Sequence, residues 1–301
     1  MNLVNRLISL LQRLERLCSR EEQKKHLRPS DRRSPNVLSG KILARANGSL
    51  PPDAPLDAFE FSVFSQYGED GIIQHLVNTV KPRIKEFVEI GVENYEESNT
   101  RFLVINNYWR GLVVDGSPSN VEFIRRDPLT VFYGLRSACA FIDAENVNAV
   151  ITDNGFKGEI GLLSIDIDGN DYWIWKAIHC VEPDIVVVEY NALFGPERSV
   201  TIPYDREFDR AKASESKLYY GASLGALCSL ARQKGYFLVG CNSAGNNAFF
   251  VHRKHRNVMR EITAPEAFNR QIFNEPSVHG KVPSSEVEKK RLIQGLPLVE
   301  V

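Results

Sequence analysis

Residues 160–195, IGLLSIDIDGNDYWIWKAIHCVEPDIVVVEYNALFG, constrain what this 301-residue chain can fold into more than any other stretch. Residues 160–167 are apolar apart from Gly161, Ser164 and Asp166, and residues 185–188 are β-branched throughout, as strands covered on both faces should be. A short helical pattern lies between them. Strand, crossover helix and strand predict a βαβ unit, and open sheets of such units bind ligands beyond the carboxyl ends of their strands. Those ends carry Asp166, Asp168, Glu189 and Asn191. Alternation along an extended backbone points Asp166 with Asp168, and Glu189 with Asn191, so four hard oxygen donors are expected to converge.

The chain is 43% hydrophobic, enough for a full core, and its length suits one large α/β domain with appendages. With 37 basic against 38 acidic residues no global field attracts nucleic acid, so a small or neutral partner is expected. Five cysteines without CxxC spacing fit reduced thiols in a cytoplasmic setting rather than a zinc site. No apolar run reaches the roughly 20 residues that span a bilayer, so the expectation is a soluble or peripheral protein.

Residues 1–26 place leucines at helical spacing with Arg6, Arg13, Arg16 and Arg20 largely between them. This amphipathic helix would pack on the domain or a second copy, or rest on an anionic membrane surface. Residues 27–60, rich in Pro, Ser, Arg and Asp, read as a linker or surface wrap. The main domain is expected over residues 61–254. A helix opens near Gly68, Glu69 and Asp70, whose acids are equally ordinary partners of a helix dipole. A strand over residues 87–90 runs into a sharp turn at Gly91, without further glycines for a dinucleotide fingerprint. A second strand, residues 112–114, ends in Asp115, placed to accept from two ribose hydroxyls unless it is a solvent-facing turn residue. Gly116 and Ser117 would admit a ligand and start the next helix. Residues 130–142 read as a third strand, with Asp143 capping a helix to Asn154. Strands at 237–241 and 247–251, joined by a Gly- and Asn-rich turn, predict an antiparallel hairpin at the sheet edge. Residues 255–301, polar and interrupted by proline, are assigned to a surface-wrapping extension or partial lid.

Taken in order, SQYGEDGII, FVEIGVENYEESNT, GLVVDGSP, LLSIDIDGNDYWIW, VVVEYN and NNAFFV span about residues 61–252. This set resembles the class I S-adenosylmethionine-dependent methyltransferases, and within them the FkbM-like branch. The resemblance implies a Rossmann-like, mostly parallel seven-stranded sheet with a C-terminal antiparallel hairpin. It also implies O-methylation of a hydroxyl on a sugar, glycan or glycosylated natural product. On the same resemblance the methionine part of the cofactor lies against Glu89, Ile90 and Gly91, with Asn99 and the turn of Gly68, Glu69 and Asp70 nearby. Asp115 holds the ribose, and residues 141–144, including Asp143, flank the adenine.

A sugar hydroxyl is a poor nucleophile at neutral pH, and Mg²⁺ or Mn²⁺ held by carboxylates can orient it and lower its pKa. Asp166, Asp168, Glu189 and Asn191 are the expected metal ligands. Asp166 or Asp168 would serve as catalytic base, unless the DxDG run is a helix cap and Asp166 orients the cofactor without metal. His179 falls at the wrong end of the crossover helix for a base. Tyr190, Phe194 and Tyr204 are the expected stacking surfaces for an acceptor ring, and Trp173 and Trp175 are assigned to core and surface. A metal-dependent hydroxylase of cephalosporin-hydroxylase type, or a non-catalytic cofactor-binding protein, remains as an alternative on the same fold.

Overall fold

A computed structural model describes residues 34–301 apart from residues 52, 275 and 284, so the helix expected over residues 1–26 lies outside the described residues. The strands are β1 (Glu86–Ile90), β2 (Arg110–Asp115), β3 (Arg136–Cys139), β4 (Gly158–Ile165), β5 (Val181–Glu189), β6 (Val200–Thr201), β7 (Tyr236–Cys241), β8 (Asn247–His252) and β9 (Val299–Glu300). Seven form one mixed sheet in the order β3-β2-β1-β4-β5-β8-β7. The β1–β2, β2–β3, β1–β4 and β4–β5 pairings are parallel, whereas β8 runs antiparallel to both β5 and β7. This is a doubly wound, Rossmann-like α/β sheet ending in the expected hairpin. The strand order reverses between β1 and β4, which makes that junction the topological switch point where such sheets bind ligands.

The central strands are apolar because both faces are covered. On β5, Val186 and Val188 join one core cluster and Ile185 and Val187 the other. The helix Glu69–Val80 buries Ile72, Ile73, Leu76 and Val77 in the second cluster. On the other face, the helix Leu224–Lys234 buries Leu224, Leu227, Leu230 and Ala231. Its first turn is capped by Ser223, whose hydroxyl accepts from Ala226 N at 3.1 Å, and it ends at Gly235 with φ +90°.

Three local expectations give way. The segment expected as a linker holds the helix Pro35–Asn47, capped by Ser34, whose Gly40 lies where a Cβ would stand 2.3 Å from Val63 Cγ2. Its proline occupies the first turn, where no N–H is needed, and so starts the helix instead of breaking it. The third-strand region is a short helix, Pro128–Phe132, before β3. The helix expected from Asp143 is Val147–Asp153, with Asn146 at its N-cap. The extension folds back onto the domain: β9 pairs with β6, and Asn269 donates from Nδ2 to Asn242 O at 2.9 Å. Among the described residues no helix is long and apolar enough to cross a membrane.

Candidate active site at the carboxyl ends of the strands

A cavity of about 660 Å³ opens at the switch point. Gly91 shapes its floor. Its φ is +80°, and a Cβ there would stand 1.6 Å from Asp166 O, so glycine is required by the close approach of the β1 and β4 ends before any ligand is considered. Beside it Glu89 accepts from Asn99 N at 2.8 Å and from the Thr100 hydroxyl. Burial pushes its carboxyl up to about 7 against these hydrogen bonds. Asn99 in turn donates from Nδ2 to Ser164 Oγ at 3.1 Å. At the end of β2, Asp115 Oδ1 accepts from Ser117 N at 2.8 Å and from Asn120 Nδ2 at 3.0 Å. Ile90, Gly116, Ser117, Phe141 and Ile142 complete that side of the lining, and Phe141 is 60% exposed.

The ends of β4 and β5 bring three carboxylates together. Asp166, Asp168 and Glu189 each place an oxygen within 4.8 Å of the others'. Asp168 reaches this position with φ +57°, a left-handed turn made tolerable by a short polar side chain. Asp171, in the first turn of the helix Asp171–Ala177, organises the loop by accepting from Ile167 N and Gly169 N, both at 2.9 Å. Arg210 pairs with Asp168, lies over the Tyr220 ring with its guanidinium carbon 4.7 Å from the centroid, and donates from Nε to Lys217 O at 3.1 Å. Burial, then the neighbouring Asp168 and Asp171, hold the Asp166 carboxyl well above the usual range, with Arg210 opposing. Burial and then Asp166 do the same to Glu189. Glu189 is 6% exposed and its Oε2 has no hydrogen-bond partner.

Most expected site residues line this one cavity, but four do not. Asn191 is fully buried and its amide is spent. Nδ2 donates to Leu218 O and Tyr220 O at 2.9 and 3.0 Å, and Oδ1 accepts from Leu193 N at 3.0 Å. It latches the 218–220 segment to the end of β5 and is absent from the carboxylate cluster. Asp143 Oδ1 accepts from Glu145 N and Asn146 N, and Oδ2 from Arg206 Nε at 2.7 Å, so it builds the loop behind Phe141 and Ile142. Asp70 Oδ2 accepts from Val63 N, Phe64 N and Ser65 N at 2.7 to 2.9 Å and ties down that loop. Gly68, φ +98°, backs onto the Glu60 side chain, 2.7 Å from where its Cβ would be. Glu69, its neighbour, does line the cavity.

The expected aromatic surfaces also shift. Tyr190 and Phe194 are core residues, and the Tyr204 hydroxyl donates to Glu145 at 2.6 Å and accepts from Ala144 N at 3.0 Å. Phe208 and Phe273 line the cavity instead, Phe208 lying where a Cβ on Gly169 would stand 2.2 Å from its ring. Phe273 stacks on Tyr67 with centroids 4.8 Å apart and comes from the C-terminal extension. Asn246 and Asn247, at the start of β8, also face the cavity. In sequence they pass for ordinary turn residues; the only signal was their position at the carboxyl pole. His179 is exposed and contacts Ala177 O at 3.0 Å, away from the cavity lining.

No family model and no curated protein matches the chain. Among solved structures it is similar to an S-adenosylmethionine-dependent methyltransferase from Clostridium acetobutylicum ATCC 824, at 10% identity over 62% of this chain and 92% of that one, with a TM-score of 0.41. An O-methyltransferase from Bacillus cereus in complex with SAH is similar at 13% identity over 72% and 89%, TM-score 0.37. The N-terminal domain of EvdMO1 with SAH bound is similar at 12% identity over 70% and 94%, TM-score 0.39.

Proposed function

We propose that this chain is an S-adenosylmethionine-dependent O-methyltransferase of FkbM-like type acting on a hydroxyl of a sugar, glycan or glycosylated natural product, assisted by Mg²⁺ or Mn²⁺. One observation carries the reading. A single cavity joins the acids ending β1 and β2, Glu89 and Asp115, to the carboxylate cluster ending β4 and β5. The first pair suits the amino and ribose groups of the methyl donor, with Phe141 and Ile142 offering apolar surface to its adenine. The second suits an acceptor hydroxyl that must be oriented and deprotonated beside the donor.

In the proposed reaction the acceptor oxygen attacks the methyl carbon opposite the sulfur. The O–C bond forms as the C–S bond breaks, S-adenosylhomocysteine leaves with the electron pair, and the hydroxyl proton passes to the carboxylate of Asp166. Asp166 lies at the junction of the two sets, adjoining both Gly91 and Asp168. The donor set fits a hard divalent cation, because the cluster is all oxygen and Glu189 Oε2 is buried without a partner. Such a cation, held by Asp166, Asp168 and Glu189, would supply Lewis acidity that lowers the hydroxyl pKa. Arg210 holds Asp168 in place, and Phe208 and Phe273 offer apolar faces to the acceptor.

Calorimetry with S-adenosylmethionine and S-adenosylhomocysteine tests the donor assignment, and failure to bind either removes it. Transfer of labelled methyl groups to nucleotide sugars and oligosaccharides then tests the acceptor class. Product mass separates the alternatives: an added methyl supports transfer, whereas an added oxygen would identify a hydroxylase. Full transfer in EDTA would remove the cation from the proposal.

A further inference from the structure

We propose that Asn247 Oδ1, on β8, is a neutral fourth oxygen ligand of the divalent-cation site, beside Glu189. This rests on reading the carboxylate cluster as a cation site. Asn247 and Glu189 face each other in the antiparallel register of β8 and β5. Residues paired in this way project to the same face with Cβ atoms about 4.5–5.5 Å apart. Both line the cavity, and they are 4% and 6% exposed.

The orientation of the Asn247 amide follows from its other partner. Glu69 Oε1 accepts from Asn247 Nδ2 at 2.9 Å and from Asn242 Nδ2 at 2.8 Å. Turning the Asn247 amide over would set oxygen against oxygen, so Glu69 fixes the nitrogen toward itself and Oδ1 away from it. Asn247 Oδ1 is buried without a hydrogen-bond partner, as is Glu189 Oε2. A buried acceptor without a donor is unfavourable, because it has given up its hydrogen bonds to water and gained none in return. Two of them on directly opposed residues point to one group that satisfies both.

Charge selects the kind of group. Asp166, Asp168 and Glu189 carry three negative charges when ionised, and Arg210 offsets one, leaving two for a divalent ion. An amide oxygen adds a ligand without overcharging the site, which suits the six-oxygen preference of Mg²⁺ and Mn²⁺. Asn191, the asparagine nearest Glu189 in sequence, is excluded by its bonds to Leu218 O and Tyr220 O.

The test is Mn²⁺ titration of the full chain, read as loss of the free-ion electron paramagnetic resonance signal, with S-adenosylhomocysteine affinity measured in parallel. Asn247→Leu should weaken Mn²⁺ binding at least about tenfold, the scale on which partners of a metal site act, with S-adenosylhomocysteine affinity within about twofold of wild type. Asn247→Ala, which removes the same oxygen with a smaller side chain, should also weaken Mn²⁺ binding. A folded Asn247→Leu protein that binds Mn²⁺ like wild type would overturn the assignment and leave the cation site standing. If Asn247→Leu does not fold, Asn247→Ala decides: Mn²⁺ binding equal to wild type overturns the assignment. Wild type that binds no Mn²⁺, with or without S-adenosylhomocysteine, removes the cation site and the Asn247 ligand together.

Discussion

Oxygen-bearing side chains at the strand ends divide into those that face the cavity and those that hold the frame. Asp166 and Asn191 illustrate the division. If Asp166 takes the acceptor proton, Asp166→Asn should lower transfer by about 10²–10⁴-fold, the range attributable to a positioned acid or base, with S-adenosylhomocysteine affinity within a few-fold. Single-turnover rates and calorimetry on the same preparation check both halves. Asn191→Ala should behave differently, because it strands the buried Leu218 and Tyr220 carbonyls and the Leu193 N–H. We expect a loss of about 3 kcal/mol or more in urea unfolding from three unpaired groups, and Mn²⁺ affinity equal to wild type wherever the protein remains folded. Selective loss of Mn²⁺ binding at wild-type stability would return Asn191 to the ligand set. Neither role could be separated in sequence, since both residues follow the same kind of buried strand and differ only in where the chain turns next.

At the scale of elements, the C-terminal extension is part of the cavity wall. Gly245, φ +79°, lies where a Cβ would stand 2.4 Å from the Arg270 carbonyl, so the β7–β8 turn admits the extension only because a side chain is missing there. Lys289, almost fully buried, donates from Nζ to Phe273 O at 2.8 Å and anchors the segment that presents the Phe273 ring. Farther on, β9 pairs with β6 and the Tyr219 hydroxyl donates to Pro297 O. Truncation after residue 294 should therefore raise amide hydrogen exchange around residues 199–201 and 219 while the β1–β5 core stays protected. Uniform loss of protection would mean that the extension and the sheet fold as one unit. Phe273→Ala should raise the acceptor KM about tenfold and spare kcat, since stacking on a ring stabilises ground and transition states alike.

For the whole molecule, several acids are buried at one pole of the sheet and held above their ordinary pKa by desolvation. Glu89 is pushed up to about 7, and Asp70 to about 6. A folded-state pKa above the unfolded value contributes stability that is full below the unfolded value, near 4, and is lost as pH rises through the folded one. Stability of the ligand-free protein should therefore fall between about pH 4 and pH 7 through these two groups. Glu89→Gln should flatten the upper part of that fall, as read from urea midpoints across the pH range. A wild-type profile that rises through the window, or a Glu89→Gln profile of unchanged slope, would contradict this account. Binding of S-adenosylhomocysteine at 100 times its Kd should add about 2.7 kcal/mol to the folded state by mass action.

Sequence alone determined the layered sheet, because buried parallel strands must be apolar on both faces and the βαβ order permits few arrangements. It also located the pole at which the cavity opens, since Glu89, Asp115, Asp166 and Glu189 each follow an apolar run at the end where crossover connections leave a crevice. Tertiary structure decided which oxygens meet. The left-handed turn at Asp168 returns its carboxylate to the cluster, and the latch at Asn191 turns its amide away. The antiparallel register of β8 on β5 sets Asn247 opposite Glu189 across 58 positions of chain, and the folded-back extension supplies Phe273. Periodicity reports which face a residue takes along its own strand. Contacts between elements depend on register and on where loops change direction, and neither is encoded in the local pattern of apolar and polar residues.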